Sequence, residues 1–221
     1  MVWWCMCLIL KPLKLSCRRI ILKIGNWILI PLFSFSIVCT KPTVRFYVEK
    51  NVFTDQFLFS LKSDFLENFK VNFQYIEIDS NSDNEHLLKS TLDGSILADN
   101  NIMREINTYN IFLTDKPLTF EVDSIEVRGF SFMSQAVSIV STHRIKIESA
   151  QFDLPFEFQF KKAIKHEFLH LYGLDHCSQT PKCIMVASVP PSNFHYSKDR
   201  TCSFCARKIE PCLITKRLFQ F

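Results

Sequence analysis

The chain contains 221 residues, 48% of them hydrophobic, and carries a formal net charge of +4. This length and apolar content can bury a sizeable core and suit one domain with an appendage. Five basic residues and no acidic residue lie in the first 23 positions, so the remainder of the chain is close to neutral. That distribution argues against the extended basic surface of a nucleic-acid-binding protein, and we expect no nucleic-acid partner.

The N-terminal part of the chain has the pattern of a targeting segment. Basic residues up to Lys23 precede an apolar run from Trp27 to Val38, which only one proline and two serines interrupt. The run is short for a membrane span and is typical of a signal-peptide core. Cys39 follows directly, as at a bacterial lipoprotein cleavage site, although Val38 stands where a small residue is usual. We therefore expect residues 1–42 to export the protein or anchor it to a membrane. A cytoplasmic protein with an extended start is the alternative.

The residues after position 42 alternate between strand and helix patterns, which predicts one globular domain over residues 43–221. Period-two alternation and short apolar runs indicate strands, whereas apolar residues three and four positions apart indicate helices. The predicted strands are 43–48, 71–78, 110–114, 124–127 and 136–141, and the predicted helices are 54–69, 85–107 in two pieces, and 156–171. This β-α-β-α-β order favours right-handed crossovers and predicts an α/β fold with a mainly parallel sheet.

A histidine pattern, H-E-x-x-H-x-x-G-x-x-H, begins at His166 near the end of the last predicted helix. His166 and His170 lie one helical turn apart on the same face, so both imidazoles can reach one metal ion. Gly173 can adopt the positive φ that ends a helix sharply, which would bring His176 back as a third ligand. Three neutral imidazoles with an open fourth position are typical of a catalytic zinc site.

Glu167 lies beside the histidine face and can serve a water molecule at the metal without binding the metal itself. The alternative is an amphipathic helix with ordinary surface histidines. The complete pattern arises by chance in on the order of one in a hundred thousand chains of this length, which favours the metal site.

Four cysteines form a second constellation after the histidines. Cys177 and Cys183 are followed by a C-x-x-C pair, Cys202 and Cys205. A C-x-x-C together with a second cysteine pair indicates a closed structural zinc with four thiolate ligands. Two disulfides are the alternative, which an oxidising compartment would favour. We expect the thiolate site, and hence two zinc ions per chain.

The stretch from His166 to His176 resembles the metzincin clan of zinc peptidases. Its continuation through Cys177, the C-x-M at Cys183–Met185, and the later C-x-x-C resembles one family in that clan, the archaemetzincins. The motif covers about forty residues, and the upstream order of strands and helices is compatible. The resemblance implies a zincin-like α+β fold: a twisted, mixed, mainly parallel sheet with an antiparallel edge strand, packed helices and an active-site helix.

The resemblance also implies a role for each motif residue. The catalytic zinc would be bound by His166, His170 and His176, with Glu167 as general base. The structural zinc would be bound by Cys177, Cys183, Cys202 and Cys205. Met185 would lie beneath the metal in a Met-turn, the alternative being an ordinary core methionine. The predicted strand 136–141 would match the edge strand above the cleft, where Ala136, Val137, Ser138 and Ile139 would pair with an extended peptide.

We therefore expect a zinc metallopeptidase that acts on a peptide or protein substrate. In this mechanism zinc activates a water molecule, Glu167 accepts its proton, and Tyr196 or His195 is a candidate to stabilise the oxyanion. One alternative is a metal-binding domain with little or no peptidase activity that serves as a binding module. Another is a structural zinc protein attached to a membrane through its N-terminus.

Overall fold

Seven strands and four α-helices are formed by the residues that the computed structural model describes, which are 41–78, 107–120, 125–187 and 196–209. These residues fall within one compact unit, 39–221. The strands are β1 (Thr43–Glu49), β2 (Asn72–Ile78), β3 (Thr108–Thr114), β4 (Leu118–Phe120), β5 (Ile125–Val127), β6 (Gly129–Phe132) and β7 (Val137–Ser141). The helices are α1 (Asp55–Asn68), α2 (Thr142–Gln151), α3 (Phe156–Leu171) and α4 (Ser203–Ala206).

Several sequence predictions fall outside the described residues. They are the targeting segment with Cys39, nearly all of the predicted helix at 85–107, and His195. Within the part of the chain that is described, none of the helices has both the length and the apolar character needed to cross a membrane.

Five strands form one mixed sheet in the order β2-β1-β3-β7-β6. The pairs β1–β2, β1–β3 and β3–β7 are parallel, and β6 runs antiparallel to β7 at the edge. Strands β4 and β5 form a separate antiparallel pair. The predicted mainly parallel sheet with an antiparallel edge strand is therefore confirmed.

The identity of that edge strand corrects one prediction. Strand β7 lies inside the sheet, where Ile139 pairs with Phe112 of β3 on one side and with Phe130 of β6 on the other. A strand that is hydrogen-bonded along both edges cannot accept a peptide as a further strand. The prediction that Ala136–Ile139 forms the peptide-binding edge is thus wrong. The edge beside it is β6, which sequence analysis missed because a four-residue strand containing a glycine gives little periodic signal.

The sheet packs its two faces differently. Val44, Phe46, Ile111 and Val140 point toward the helices and are at most 2% exposed. Phe112, Val137 and Ile139 form a second apolar cluster with Leu118 on the opposite face. This alternation follows from the period of two along each strand, and it leaves one side of the sheet free to carry α1 and α3.

Helix α1 begins at the N-cap residue Thr54 and contacts α3 through aromatic rings. The hydroxyl of Thr54 accepts a hydrogen bond from the Phe57 amide at 3.2 Å, which satisfies one of the free amides at the helix start. The ring centroids of Phe65 on α1 and Phe168 on α3 lie 5.0 Å apart in a T-shaped arrangement. Burying each Phe side chain contributes roughly 1.5–3 kcal/mol, so this contact stabilises the packing of α1 against α3.

Helix α2 was not predicted, because no loop separates it from β7. Ser141 is the last residue of β7 and also the N-cap of α2, where its hydroxyl accepts from the His143 amide at 3.0 Å. The β-branched residues Thr142, Ile145 and Ile147 also weaken the helical signal in this segment. The structure therefore turns from strand to helix at one residue.

Candidate metal centre

Helix α3 carries the first two histidines and ends in the turn that positions the third. Gly173 has φ +91°, as predicted. Its amide donates to the His170 carbonyl at 2.8 Å, and the Leu174 amide donates to the Leu169 carbonyl at 3.0 Å. These two bonds are the Schellman arrangement, which requires a residue with positive φ and reverses the chain after the helix. The reversal brings His176 back toward the helix.

The three histidine side chains converge through the same ring atom. The Nε2 of His170 lies 3.0 Å from the Nε2 of His166 and 3.2 Å from that of His176. Nitrogen ligands in tetrahedral zinc sites lie about 3.3 Å apart, given zinc–nitrogen bonds of 2.0–2.1 Å. His166 is buried and His176 is exposed, so the cluster opens to solvent on one side.

The opposite ring nitrogens show that this cluster fits a cation. Nδ1 of His166 lies 2.7 Å from the Ile184 carbonyl oxygen, and Nδ1 of His170 lies 2.6 Å from that of Leu174. A carbonyl oxygen can only accept, so each Nδ1 carries the proton and each Nε2 presents a lone pair. Two lone pairs at 3.0 Å repel each other unless a cation lies between them. The donor set and its tautomers therefore match a divalent metal such as zinc.

The electrostatics of the site keep the imidazoles neutral. Burial is the main cause that lowers the pKa of His166 to about 3, and the neighbouring His170 lowers it further. Burial also lowers the pKa of His170 and of His176. Neutral imidazole is the form that binds a metal, so the histidines need lose no proton at neutral pH.

Glu167 is 7% exposed and lies on the side of α3 that faces the sheet edge. Its Oε2 accepts a hydrogen bond from the Ser131 hydroxyl of β6 at 2.6 Å. Burial raises the pKa of Glu167 to about 7, although the bond from Ser131 lowers it. A carboxyl group with such a pKa can exchange a proton near neutral pH.

The four cysteines form a second cluster, as predicted. Their Sγ atoms all lie within 4.8 Å of one another, and all four are free thiols. The Sγ atoms of Cys177 and Cys202 are 3.6 Å apart, far beyond a disulfide bond of about 2.05 Å. Sulfur ligands in a tetrahedral zinc site lie about 3.8 Å apart, given zinc–sulfur bonds of 2.3 Å. This geometry favours thiolate ligation over the disulfide alternative.

Burial of most of the cysteine cluster is typical of a structural site. Cys177, Cys183 and Cys205 are at most 6% exposed. Burial raises the pKa of Cys183 to about 11. Burial also raises the pKa of Cys202, but hydrogen bonds from the Cys205 backbone and from the other thiols outweigh it and bring this pKa to about 7. The amide of Cys202 also donates to the Cys183 sulfur at 3.3 Å.

The remaining predicted site residues lie in different surroundings. Met185 is fully buried and directly follows Ile184, whose carbonyl bonds His166. Val137 and Ile139 point to the far face of the sheet, whereas the Ser138 hydroxyl lies 3.4 Å from the Glu167 carbonyl oxygen. Of the two residues expected to stabilise the oxyanion, only Tyr196 lies among the described residues, and it is 74% exposed. Sequence analysis missed Ser131, whose contact with Glu167 spans 36 residues and follows no local pattern.

Comparison with known proteins places this geometry in a family. The profile of peptidase family M54 matches residues 71–211, well over half of the chain. The chain belongs to peptidase family M54. The archaemetzincin of Natronomonas pharaonis is 29% identical to this M54 chain over 107 residues, which cover 45% of the chain and 60% of that relative. The chain thus spans less than two thirds of that relative's length.

Two solved structures share the fold of this M54 chain. One is a zinc-dependent peptidase from Methanocorpusculum labreanum, with a TM-score of 0.55 and 15% identity, covering 76% of this chain and all of that one. The other is an archaemetzincin from Methanopyrus kandleri, with a TM-score of 0.55 and 16% identity, covering 76% of this chain and 93% of that one. At these identities the structures support the fold alone. The predicted archaemetzincin resemblance and α/β fold are confirmed.

Proposed function

We propose that this chain is a zinc metallopeptidase that hydrolyses peptide bonds. The observation that carries this proposal is the convergence of three Nε2 atoms at one solvent-facing point, next to a buried carboxylate on the same helix. His166, His170 and His176 would hold the catalytic zinc. When bound there, zinc supplies a Lewis acid that polarises a carbonyl group and acidifies water.

Glu167 is the general base and later the general acid of this proposal. Its carboxylate accepts a proton from the attacking water and returns it to the leaving amine. A positioned group of this kind typically contributes about 10²–10⁴ to the rate. Burial supports the role, because a raised pKa allows the same group to accept and release the proton near neutral pH.

The substrate is proposed to bind as an additional strand along β6. Among the described strands, β6 pairs only with β7, so its other edge faces outward at the end of the sheet. An extended peptide on that edge would run beside Ser131, which contacts Glu167. Backbone hydrogen bonds of this type bind peptides with little dependence on side chains. This assignment to β6 replaces the edge role expected for β7.

The four cysteines are proposed to hold a second, structural zinc. The cluster has four sulfur atoms and no open position among them, and most of it is buried, which suits a closed site. Metal analysis of purified protein should give two zinc ions per chain. One zinc with the four cysteines oxidised would contradict the thiolate assignment.

Hydrolysis of a broad peptide library by zinc-saturated protein tests the proposed activity. We expect cleavage that a chelator abolishes and added zinc restores. If the protein binds both zinc ions and cleaves no peptide, the chain is instead a metal-binding module. Cleavage that survives complete metal removal would contradict the proposal outright.

A further inference from the structure

Strand β6 presents two small residues to the helix that carries Glu167. Side chains alternate along a strand, so Gly129 and Ser131 face α3 while Phe130 and Phe132 face the opposite cluster. A Cβ added at Gly129 would lie 3.0 Å from the Glu167 Cγ and 2.7 Å from the Ile139 carbonyl oxygen. The first of these distances is tight and the second is prohibitive. The sequence Gly-Phe-Ser-Phe therefore leaves room for the Glu167 side chain and places one hydroxyl against it.

The hydrogen bonds around Ser131 determine which oxygen of Glu167 is held. The Ser131 hydroxyl lies 2.6 Å from Glu167 Oε2, 3.0 Å from the Glu167 carbonyl oxygen, and 2.6 Å from the Ser138 hydroxyl. Each hydroxyl has one proton to donate. The arrangement that serves an ionised carboxylate has Ser138 donating to Ser131, and Ser131 donating to Oε2. Cross-strand pairing of Ser131 with Ser138 fixes the two hydroxyls next to each other.

The two carboxylate oxygens of Glu167 differ in their hydrogen bonding. Among the described residues, only Ser131 hydrogen-bonds the carboxylate, and it does so at Oε2. Oε1 is thus left to exchange a proton with water. A glutamate side chain has three rotatable bonds, and fixing them costs conformational entropy. If the side chain is already ordered before the reaction, this cost does not add to the activation barrier.

We propose that Ser131 is a positioning residue for Glu167: it holds Oε2 against the edge strand and thereby aims Oε1 at the reacting water. The role in turnover rests on the proposed peptidase function. A glutamate displaced by about 1 Å loses on the order of a hundredfold in rate. The same strand thus orients the general base from one face and offers its edge to the substrate.

Three variants test the role in turnover. In zinc-saturated enzyme, S131A should lower kcat at least about tenfold and change KM less than about twofold, because orientation affects the reaction rather than substrate binding. S131T keeps the hydroxyl and should recover at least half of kcat. S149A serves as control and should match the parent. Ser149 is a buried serine on α2, 5% exposed, and its hydroxyl has no hydrogen-bond partner among the described residues.

Several outcomes would overturn the role. They are an S131A enzyme with the parental kcat, an S131A enzyme in which only KM changes, and an S131T enzyme whose kcat is no higher than that of S131A. Zinc affinity, measured by chelator competition, should be the same in S131A and the parent, because Ser131 acts through Glu167. A parallel loss of zinc affinity would also contradict the proposal.

A double-mutant cycle tests the contact independently of activity. The unfolding equilibria of the parent, S131A, E167A and the double variant are compared at one fixed free zinc concentration. We expect a coupling of at least about fivefold between the two substitutions, since hydrogen bonds to charged groups are stronger than neutral ones. Coupling below twofold would disprove the contact. If the parent cleaves no peptide, the peptidase proposal fails, while this cycle still decides whether Ser131 holds Glu167.

Discussion

The Nδ1 atom of His166 lies 2.7 Å from the carbonyl oxygen of Ile184. Ile184 directly follows Cys183, whose sulfur belongs to the cysteine cluster. Met185 comes next, and its carbonyl accepts from the Cys177 amide at 2.7 Å. The short segment 183–185 therefore contacts both clusters through its backbone. Loss of order in one cluster should consequently be transmitted to the other.

Removing the C-x-x-C pair should weaken the histidine site. We predict that replacing Cys202 and Cys205 with Ser lowers zinc affinity at the histidines at least about tenfold, because Ile184 would no longer be held against His166. Chelator competition measures this affinity, with folding checked by circular dichroism. Cys212→Ser, outside the motif, should leave it unchanged. A folded double variant with parental affinity would show that the sites are independent.

Glu167→Gln should separate metal binding from hydrolysis. The amide cannot accept a proton, so we expect at least about a hundredfold loss of kcat with both zinc ions retained. Turnover of a cleaved library peptide and metal content are measured on the same preparation. Unchanged turnover would remove Glu167 from the proposed mechanism.

Gly173 should be sensitive to substitution through backbone strain alone. A Cβ at this position would contact none of the described residues beyond its chain neighbours within 4 Å, but the φ of +91° disfavours any side chain. Gly173→Ala should therefore reduce the free energy of unfolding by about 1–2 kcal/mol, as measured by urea denaturation. Gly173→Asn should cost less, because Asn tolerates this region better. Equal stability of all three proteins would contradict the argument.

Lys162 provides a pH-dependent term in stability. It is fully buried, and its Nζ donates to the Ser197 carbonyl at 3.3 Å. Burial lowers its pKa to about 8, with Arg128 and Lys165 lowering it and Asp199 raising it. The unfolded chain then binds more protons than the folded chain between about pH 8 and 10.5, the ordinary pKa of a lysine, so this lysine makes stability rise with pH in that window.

Lys162→Met should abolish that rise. The difference in unfolding free energy between the parent and this variant should change by up to about 3 kcal/mol across the window, in favour of the parent as pH increases. Urea denaturation at pH 7, 8, 9 and 10 measures it, with the exposed Lys198→Met as control. A pH-independent difference would show that Lys162 does not titrate there.

The N-terminal segment yields a prediction that rests on sequence alone. We propose that residues 1–38 are removed from the mature protein or attach it to a membrane, because a basic leader precedes an apolar run and a cysteine. Fractionation of native cells followed by mass spectrometry of the N-terminus tests this. Full-length protein confined to the soluble cytoplasmic fraction would refute it.

The amino-acid sequence by itself determined the features that repeat over a few residues. The apolar spacing of Phe160, Ile164 and Phe168 predicts α3 with its observed bounds. The histidine and cysteine patterns predicted both clusters, because their members lie on one helix, on the turn after it, or in close pairs. Local geometry follows from such spacing, since a helix turns every 3.6 residues whatever surrounds it.

Only the tertiary structure decided the contacts between distant segments. It placed β6 outside β7, brought Ser131 to Glu167 across 36 residues, and set the Ile184 carbonyl against His166. Each of these depends on which strand pairs with which and on how a loop closes. Strand pairing and loop closure both depend on the free energy of the whole core. A four-residue strand or a single carbonyl group also leaves no periodic pattern in the sequence from which its contacts could be predicted.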